Sequence, residues 1–247
     1  MNTRRSIQLV AVAMLAATAT AAWAEVTQSV NAANCATVKP AGPRTGANGV
    51  KFLNVEGSAN GVNASYGVLR FDTSPLKTAF DAQFGAGGYT LSDVSLSLIE
   101  SNAAFTKPGN IGFAFSPDNT TDISAANTAL QYDAANALHS HQFAQTSITS
   151  GSFTTTGNVN SGQVDVYDLF AANEGSDALV HAILSGGIAT LIVNDEDPTV
   201  AATWTGYTNT KPPFLTVKAV QAVPEPGSIA LLLGAAPALL AFRRRRA

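Results

Sequence analysis

Apolar and polar residues alternate in several short segments of the chain, and turn-forming residues separate these segments. In residues 89–99, Val94, Leu96 and Leu98 share one face, and serine residues alternate with them on the other. Apolar residues at every second position are typical of a β-strand with one buried face. Residues 188–194 instead form a near-continuous apolar run of strand length, which predicts a central strand.

Similar strand patterns recur along the chain at spacings near the roughly 8–12 residues that are typical of β-sandwiches. They occupy residues 50–56, 64–72, 111–115, 146–149, 151–156, 163–168, 200–206 and 214–218. The sequence therefore predicts an all-β fold, an antiparallel β-sandwich, with a jelly roll as the finer expectation. The residues expected in the shared core are Leu69, Phe71, Leu96, Leu98, Ile111, Phe113, Leu191 and Val193.

One or two short helices interrupt this pattern. Residues 76–84 and 176–184 are each followed by glycines that end a helix. Residues 118–144 are rich in alanine and asparagine, so an amphipathic helix competes there with a long loop. The Asn, Thr and Asp residues in the stretch favour the loop.

The first 24 residues have the three parts of a secretory signal peptide. Arg4 and Arg5 precede an apolar stretch, and Ala22 and Ala24 form a small-residue cleavage site. The arginine pair faintly resembles a twin-arginine signal, but the absence of a cofactor motif favours ordinary Sec export.

The rest of the chain divides into three parts. Residues 25–48 lack periodicity and predict a flexible lead-in. Residues 49–221 predict a single β-sandwich domain, and residues 222–247 form a distinct C-terminal tail.

Charge is distributed unevenly along the chain. Of the 14 basic residues, two lie in the leader and four in the tail, which leaves 8 basic against 16 acidic residues in the body. A net-acidic body without a cluster of Lys or Arg along the sequence disfavours nucleic acid as a partner.

Candidate nucleophiles and metal ligands are few. Cys35 is the only cysteine, so no intramolecular disulfide forms, and we expect an unreactive thiol near a mobile N-terminus. His139 and His141 would lie on one side of an extended segment, as zinc or copper ligands could. Without a third ligand, a solvated loop is favoured.

Acidic turns offer the oxygen ligands that Ca²⁺ accepts. Asp195, Glu196 and Asp197 follow the predicted central strand, and Asp118 and Asp122 are similarly placed in a polar stretch. Because the spacing is not that of an EF-hand loop, solvated turns without metal are favoured. We predict no metal site and no cofactor, while a Ca²⁺ site near Asp195 stays open.

No catalytic motif is present, so no enzyme activity is predicted, although a hydrolase stays a third alternative. Trp204 and Tyr207 are candidate ligand-stacking residues, as in carbohydrate-binding sandwiches. A sandwich core also uses tryptophan, and that interpretation is favoured.

The C-terminal tail carries the most specific motif. Residues 226–242 are uncharged and would span about 25 Å as a helix, slightly less than a bilayer core. The four following arginines would stay in the cytoplasm. The motif consists of Pro224, Glu225 and Pro226, then the apolar segment, then Arg243, Arg244, Arg245 and Arg246.

This tail resembles the PEP-CTERM sorting signal of Gram-negative bacteria. The resemblance implies processing by an exosortase, transient anchoring in the inner membrane, and a destination at the cell surface or in the exopolysaccharide matrix. Residues 69–72, 94–98, 201–207 and 213–217 are also similar to the β-sandwich bodies of PEP-CTERM exported proteins and DNRLRE-type surface domains, which implies a fold only. The leading expectation is an exported, non-enzymatic structural or adhesive protein, and the alternative is a carbohydrate-binding module.

Overall fold

The computed structural model describes residues 25–44, 47–101, 105–154 and 162–222. The strands are β1 (Glu25–Asn31), β2 (Asn34–Lys39), β3 (Gly42–Pro43), β4 (Phe52–Glu56), β5 (Tyr66–Asp72), β6 (Tyr89–Ile99), β7 (Gly109–Ser116), β8 (Thr146–Phe153), β9 (Val164–Asp168), β10 (Ile188–Asp195), β11 (Ala201–Thr205) and β12 (Phe214–Gln221). The helices are α1 (Ala47–Lys51), α2 (Ser74–Phe84) and α3 (Glu174–Ser185), with a 3-10 helix at Ser58–Asn63.

The strands form three antiparallel sheets, which confirms the predicted mainly β, antiparallel fold. One sheet has the order β1-β12-β6-β9, and a larger one has the order β3-β2-β5-β10-β7-β8. A third sheet consists of β4 and β11 alone. Apolar residues from all three sheets meet in one core.

The predicted core residues lie inside this core. Each has a relative exposure of 1% or less, and the set comprises Leu69, Phe71, Leu96, Leu98, Ile111, Phe113, Leu191 and Val193. Helices α2 and α3 contribute further apolar side chains, among them Phe80 and Leu179. The alternation in the sequence therefore identified the inward faces of β5, β6 and β7 correctly, whereas Leu191 and Val193 of β10 were identified from its apolar run.

Strand β10 is central, as its apolar run predicts, because it pairs with β5 on one side and β7 on the other. The outer face of its sheet is buried too. Ile192 packs there in a second apolar cluster with Ile123, Leu130 and Phe143. These last three belong to the segment between β7 and β8, which is a loop with turns rather than a helix. Both faces of β10 are therefore buried, which explains why its apolar residues do not alternate.

Helix α3 begins earlier than the sequence indicates. The side chain of Asn173 accepts a hydrogen bond from the backbone N–H of Ser176 and caps the helix. The Ser176 hydroxyl instead donates to the Leu169 carbonyl. The helix ends, as predicted, at Gly186, which has the left-handed conformation that glycine adopts without strain.

The expectation of a flexible lead-in over residues 25–48 is wrong for the described part of that range. Strand β1 pairs with β12 along its whole length, and β2 pairs with β5. Strand β1 is mostly polar and uses only Val26 and Val30 against the core. Because backbone pairing rather than an apolar face holds this strand, its sequence carries little periodic signal.

Cys35 also differs from expectation. It lies in β2, paired with Leu69, and is buried rather than mobile. Burial raises the pKa of its thiol to about 11, which keeps the sulfur protonated and unreactive.

The predicted leader and tail lie outside the described residues, including the motif residues Ala22, Ala24, Pro224, Glu225, Pro226, Arg243, Arg244, Arg245 and Arg246. Within the described ranges, none of the helices combines the length and the apolar character needed to cross a bilayer.

Candidate ligand cleft

The small β4–β11 sheet has two chemically different faces. Leu53 and Val55 of β4 point into the core together with Trp204 of β11. The alternate residues of β4, beginning with Phe52 and ending with Glu56, lie on the opposite face. This second face forms part of the wall of a cleft of about 590 Å³.

The cleft is lined by three kinds of side chain from distant parts of the sequence. The cations are Lys39, Arg44 and Lys107, and Glu56 is the carboxylate among the described lining residues. The uncharged polar residues are Asn54, Asn60, Asn63, Thr106 and Thr203, and the aromatic residues are Phe52 and Phe105. We call this surface the β4–β11 cleft.

A chain of hydrogen bonds fixes the wall of the β4–β11 cleft. The Arg44 guanidinium donates to Asn54 Oδ1, and Asn54 Nδ2 donates to Thr203 Oγ1 at 2.8 Å. The guanidinium carbon also lies 5.9 Å from the centre of the Phe52 ring, in cation–π range. Asn54 is almost fully buried, and its backbone N–H donates to Thr37 Oγ1 at 2.9 Å. The polar groups are thus oriented before any ligand binds.

Positive charge dominates the cleft. Burial raises the pKa of Glu56, whereas Lys39, Arg44 and Lys107 all act to lower it. Burial also lowers the pKa of Lys39, and Glu56 opposes that shift. The Lys39 ammonium donates to Asn63 Oδ1 at 2.8 Å. Three cations therefore act on a single carboxylate in one partly desolvated place.

The aromatic rings at the cleft differ from those of the core. Phe105 is 74% exposed, although phenylalanine is usually buried, and Phe52 is partly exposed. An exposed ring beside fixed polar groups offers a flat apolar surface to a ligand.

Trp204 does not have the stacking role considered from the sequence. It is fully buried, its ring meets Phe153 edge-on at 5.4 Å, and its Nε1 donates to Asp165 Oδ2 at 2.8 Å. Tyr207 is partly buried against the same core, and its backbone N–H lies 3.4 Å from the Cys35 sulfur. The core interpretation that the sequence favoured is therefore confirmed for Trp204, and the ligand-stacking alternative is wrong, because no face of its ring is accessible.

The two histidines have different partners. His139 stacks on Tyr132 with ring centres 4.5 Å apart, and its Nε2 lies 3.6 Å from Asp195 Oδ2. His141 is exposed, with Nδ1 3.6 Å from a carboxylate oxygen of Asp133. The expected solvated loop therefore describes His141 but not His139. The described residues contain no group of three or more His, Cys, Asp or Glu side chains arranged for a metal ion.

The acidic residues at the C-terminal end of β10 and directly after it also have different environments. Asp195 is buried, accepts a hydrogen bond from the Tyr132 hydroxyl at 3.1 Å, and has a pKa raised by that burial. Glu196 accepts from Ser150 Oγ at 2.6 Å, and Asp197 caps a turn by accepting from the backbone N–H of Thr199 at 2.9 Å. A solvated turn is thus wrong for Asp195.

Asp118 and Asp122 do form polar turns as expected. Asp118 accepts from the backbone N–H groups of Thr120 and Thr121 and from the Thr121 hydroxyl, which, with burial opposing, lowers its pKa to about 2. Asp122 caps the turn at Ser124 in the same way.

The cleft could not be recognised in the sequence because Lys107 is far from Lys39 and Arg44 along the chain. Lys39, Arg44 and Lys107 form no linear cluster, and only the fold brings them together around Glu56. One signal was present in the sequence. Polar or aromatic residues alternate with Leu53 and Val55 in β4, which indicates an outward face on a strand that packs against the core.

Comparison with known proteins assigns neither a family nor a relative, since no protein-family model and no curated protein matches the chain.

Proposed function

We propose that this protein is an exported, non-enzymatic surface or matrix protein whose β-sandwich binds a saccharide chain in the β4–β11 cleft. The observation that carries the proposal is the combination of one exposed ring, one partly exposed ring and fixed hydrogen-bonding groups in a single cleft. Sugars present hydroxyl groups at their edges and apolar C–H groups on their faces, and this combination matches both. The cleft volume of about 590 Å³ suits a short oligosaccharide segment.

The orientation of the amides supports this ligand class. Asn60 Nδ2 donates to the carbonyls of Gly57 at 3.0 Å and Val200 at 2.9 Å, which leaves its Oδ1 as an acceptor for a hydroxyl. Thr203 accepts from Asn54, so its own hydroxyl proton can be donated to a ligand. Acceptors and donors are therefore both available, as sugar hydroxyl groups require.

A binding role is favoured over hydrolysis by the carboxylate count. Most glycoside hydrolases use a pair of carboxylates on either side of the scissile bond. Among the described residues that line the cleft, Glu56 is the single carboxylate. This supports an adhesive or structural role, with a carbohydrate-binding module as its biochemical basis.

The strand orders support the finer expectation of a jelly roll. The first strand, β1, lies beside the last, β12, in one sheet, and β5-β10-β7-β8 form the opposing set. Strands β2 and β3 extend that set at its edge. Jelly rolls occur among lectin domains, although a fold alone does not determine a function.

The sequence outside the described residues supports the route of export. Residues 1–24 would direct secretion, and residues 226–242 would form a short hydrophobic helix in the inner membrane. Arg243 to Arg246 would stay in the cytoplasm, and an exosortase would cleave at Pro224, Glu225 and Pro226. The body would then reach the cell surface or the exopolysaccharide of a Gram-negative host.

A binding measurement with the full-length chain tests the saccharide proposal. We expect the exopolysaccharide of the host to bind the wild type, and Phe105→Ala to weaken binding roughly 3- to 10-fold by removing the exposed ring. Phe170→Ala is the matched control, because Phe170 is 40% exposed but does not line the cleft. Equal binding by both variants, or no binding by the wild type, would contradict the proposal.

A further inference from the structure

The β4–β11 cleft carries a net positive charge, although the body of the protein is acidic. The body has 8 basic residues against 16 acidic ones, yet three of those 8 line this one cleft. Random placement of scarce cations in an acidic chain does not favour such a concentration. Placing these cations close together also disfavours folding, since like charges repel.

The cations of the cleft are not used in ion pairs within the described structure. Lys77 pairs with Asp81 and Lys218 with Asp93, both away from the cleft. In contrast, Lys39, Arg44 and Lys107 have no carboxylate within 4.0 Å among the residues that the structure describes. Glu56 attracts all three from a longer distance. The cleft thus keeps an excess of positive charge.

Arg44 is oriented to recognise an anion. One of its five N–H donors is used at Asn54 among the described residues, and the Phe52 ring supports the guanidinium from another side. The Arg44 backbone N–H donates to the Thr37 carbonyl at 2.8 Å, which fixes the start of the side chain. A guanidinium held in this way retains donors for the two oxygens of a carboxylate.

We propose that the ligand of the β4–β11 cleft is an acidic saccharide whose sugar units carry carboxylates, as uronic acids do. This inference rests on the proposed saccharide-binding function and adds the charge of the ligand. Arg44 and Lys107 attract the carboxylates, while the asparagine and threonine side chains bind hydroxyl groups. Three cations against Glu56 leave a charge that matches about two uronate units, in keeping with the size of the cleft.

The test compares two ligands that have the same sugar units but differ in the charge of their carboxyl groups, which methyl esters neutralise. Titration calorimetry of the full-length chain is performed with a hexamer of galacturonate and with the same hexamer fully methyl-esterified. We expect the charged hexamer to bind at least about 10-fold more tightly in low salt, and the difference to shrink when salt screens the charges.

Two variants test whether the preference for the charged hexamer arises in the β4–β11 cleft. Lys107→Gln removes an exposed cleft cation, whose backbone pairing with Ala201 is unaffected by the change. We expect it to weaken binding of the charged hexamer several-fold and binding of the ester by a smaller factor, so that the preference for the charged hexamer falls. Lys211→Gln removes the same charge from an exposed position outside the cleft lining and should preserve the preference.

The outcomes separate the two proposals. Equal affinity for both hexamers, with both lost in Phe105→Ala, overturns the acidic ligand but supports saccharide binding. Binding of neither hexamer nor host polysaccharide overturns the proposed function itself. Equal effects of Lys107→Gln and Lys211→Gln indicate nonspecific attraction, and displacement by an equal concentration of sulfate indicates a simple anion site. Either result overturns the inference.

Discussion

The indole Nε1 of Trp204 donates a hydrogen bond of 2.8 Å to Asp165 Oδ2. This contact joins β11, in the small sheet behind the cleft, to β9, at the edge of the four-stranded sheet. Burial raises the pKa of Asp165, while Trp204 and Gln163 act to lower it by hydrogen bonding. The bond thus partly offsets the cost of a half-buried carboxylate and ties the cleft wall to the sandwich.

Replacing Trp204 with phenylalanine should therefore destabilise the fold. The change removes the donor and leaves the Asp165 oxygen without its partner, so we expect a loss of about 1–3 kcal/mol plus a contribution from the smaller ring. Urea unfolding of the full-length chain measures it. In a double-mutant cycle with Asp165→Ala, which removes the acceptor, the two losses should not add, and strict additivity would show that the contact contributes nothing.

The buried carboxylate of Asp195 predicts a pH dependence of stability. Because its folded-state pKa is raised, the folded protein binds more protons than the unfolded chain from about pH 4 up to that raised value. Stability from this group is therefore full at lower pH and is lost as pH rises through the window. Asp195→Asn lacks this loss, so its stability relative to wild type should increase with pH.

Asp133→Asn is the control for this prediction, since it alters a more exposed carboxylate, in the loop between β7 and β8, that lies 3.6 Å from His141 instead. Chemical unfolding at a series of pH values checks both variants. A difference between Asp195→Asn and wild type that is constant with pH would contradict the raised pKa.

Strand β1 offers a test of the corrected N-terminal region. Val30 packs against the core, whereas its neighbour Ser29 is exposed on the same strand. Val30→Asp should cost about 2 kcal/mol by placing a charge at a partly buried site, and Ser29→Asp should change stability by less than about 0.5 kcal/mol. Thermal unfolding of both variants measures this. Equal and small effects of the two substitutions would instead support the original expectation of a flexible lead-in.

Processing of the tail is tested by the mass of the protein in a host that encodes an exosortase. We expect the wild type to lose its Arg tail, and replacement of Pro224, Glu225 and Pro226 with alanines to leave full-length protein in the inner membrane. Replacing Arg243 to Arg246 with serines should loosen orientation instead. A wild type that keeps its arginines would show a permanent anchor.

The sequence predicted the fold well where one side of a strand is apolar. Leu96 and Leu98 in β6 and Leu69 in β5 were recognisable by alternation alone. Strand β1 could not be recognised in this way, because its stability comes from backbone pairing with β12 and its side chains are mostly polar.

The candidate site was much less predictable. Lys39 and Lys107 are 68 positions apart in the chain, and their convergence depends on how β2 and the segment before β7 meet at the small sheet. Trp204 illustrates the opposite difficulty. The sequence placed it in a strand but did not determine which face of the sheet it occupies. In the structure it pairs with Leu53 and lies in the core.

Hydrogen–deuterium exchange with bound polysaccharide tests the central claim most directly. The full-length chain is compared with and without fragments of the host's exopolysaccharide. We predict slower exchange in peptides that cover residues 52–63 and 201–206, which line or adjoin the β4–β11 cleft, and no change over the loop at residues 118–145. Slower exchange confined to that loop, or none at the cleft under saturating ligand, would contradict the account.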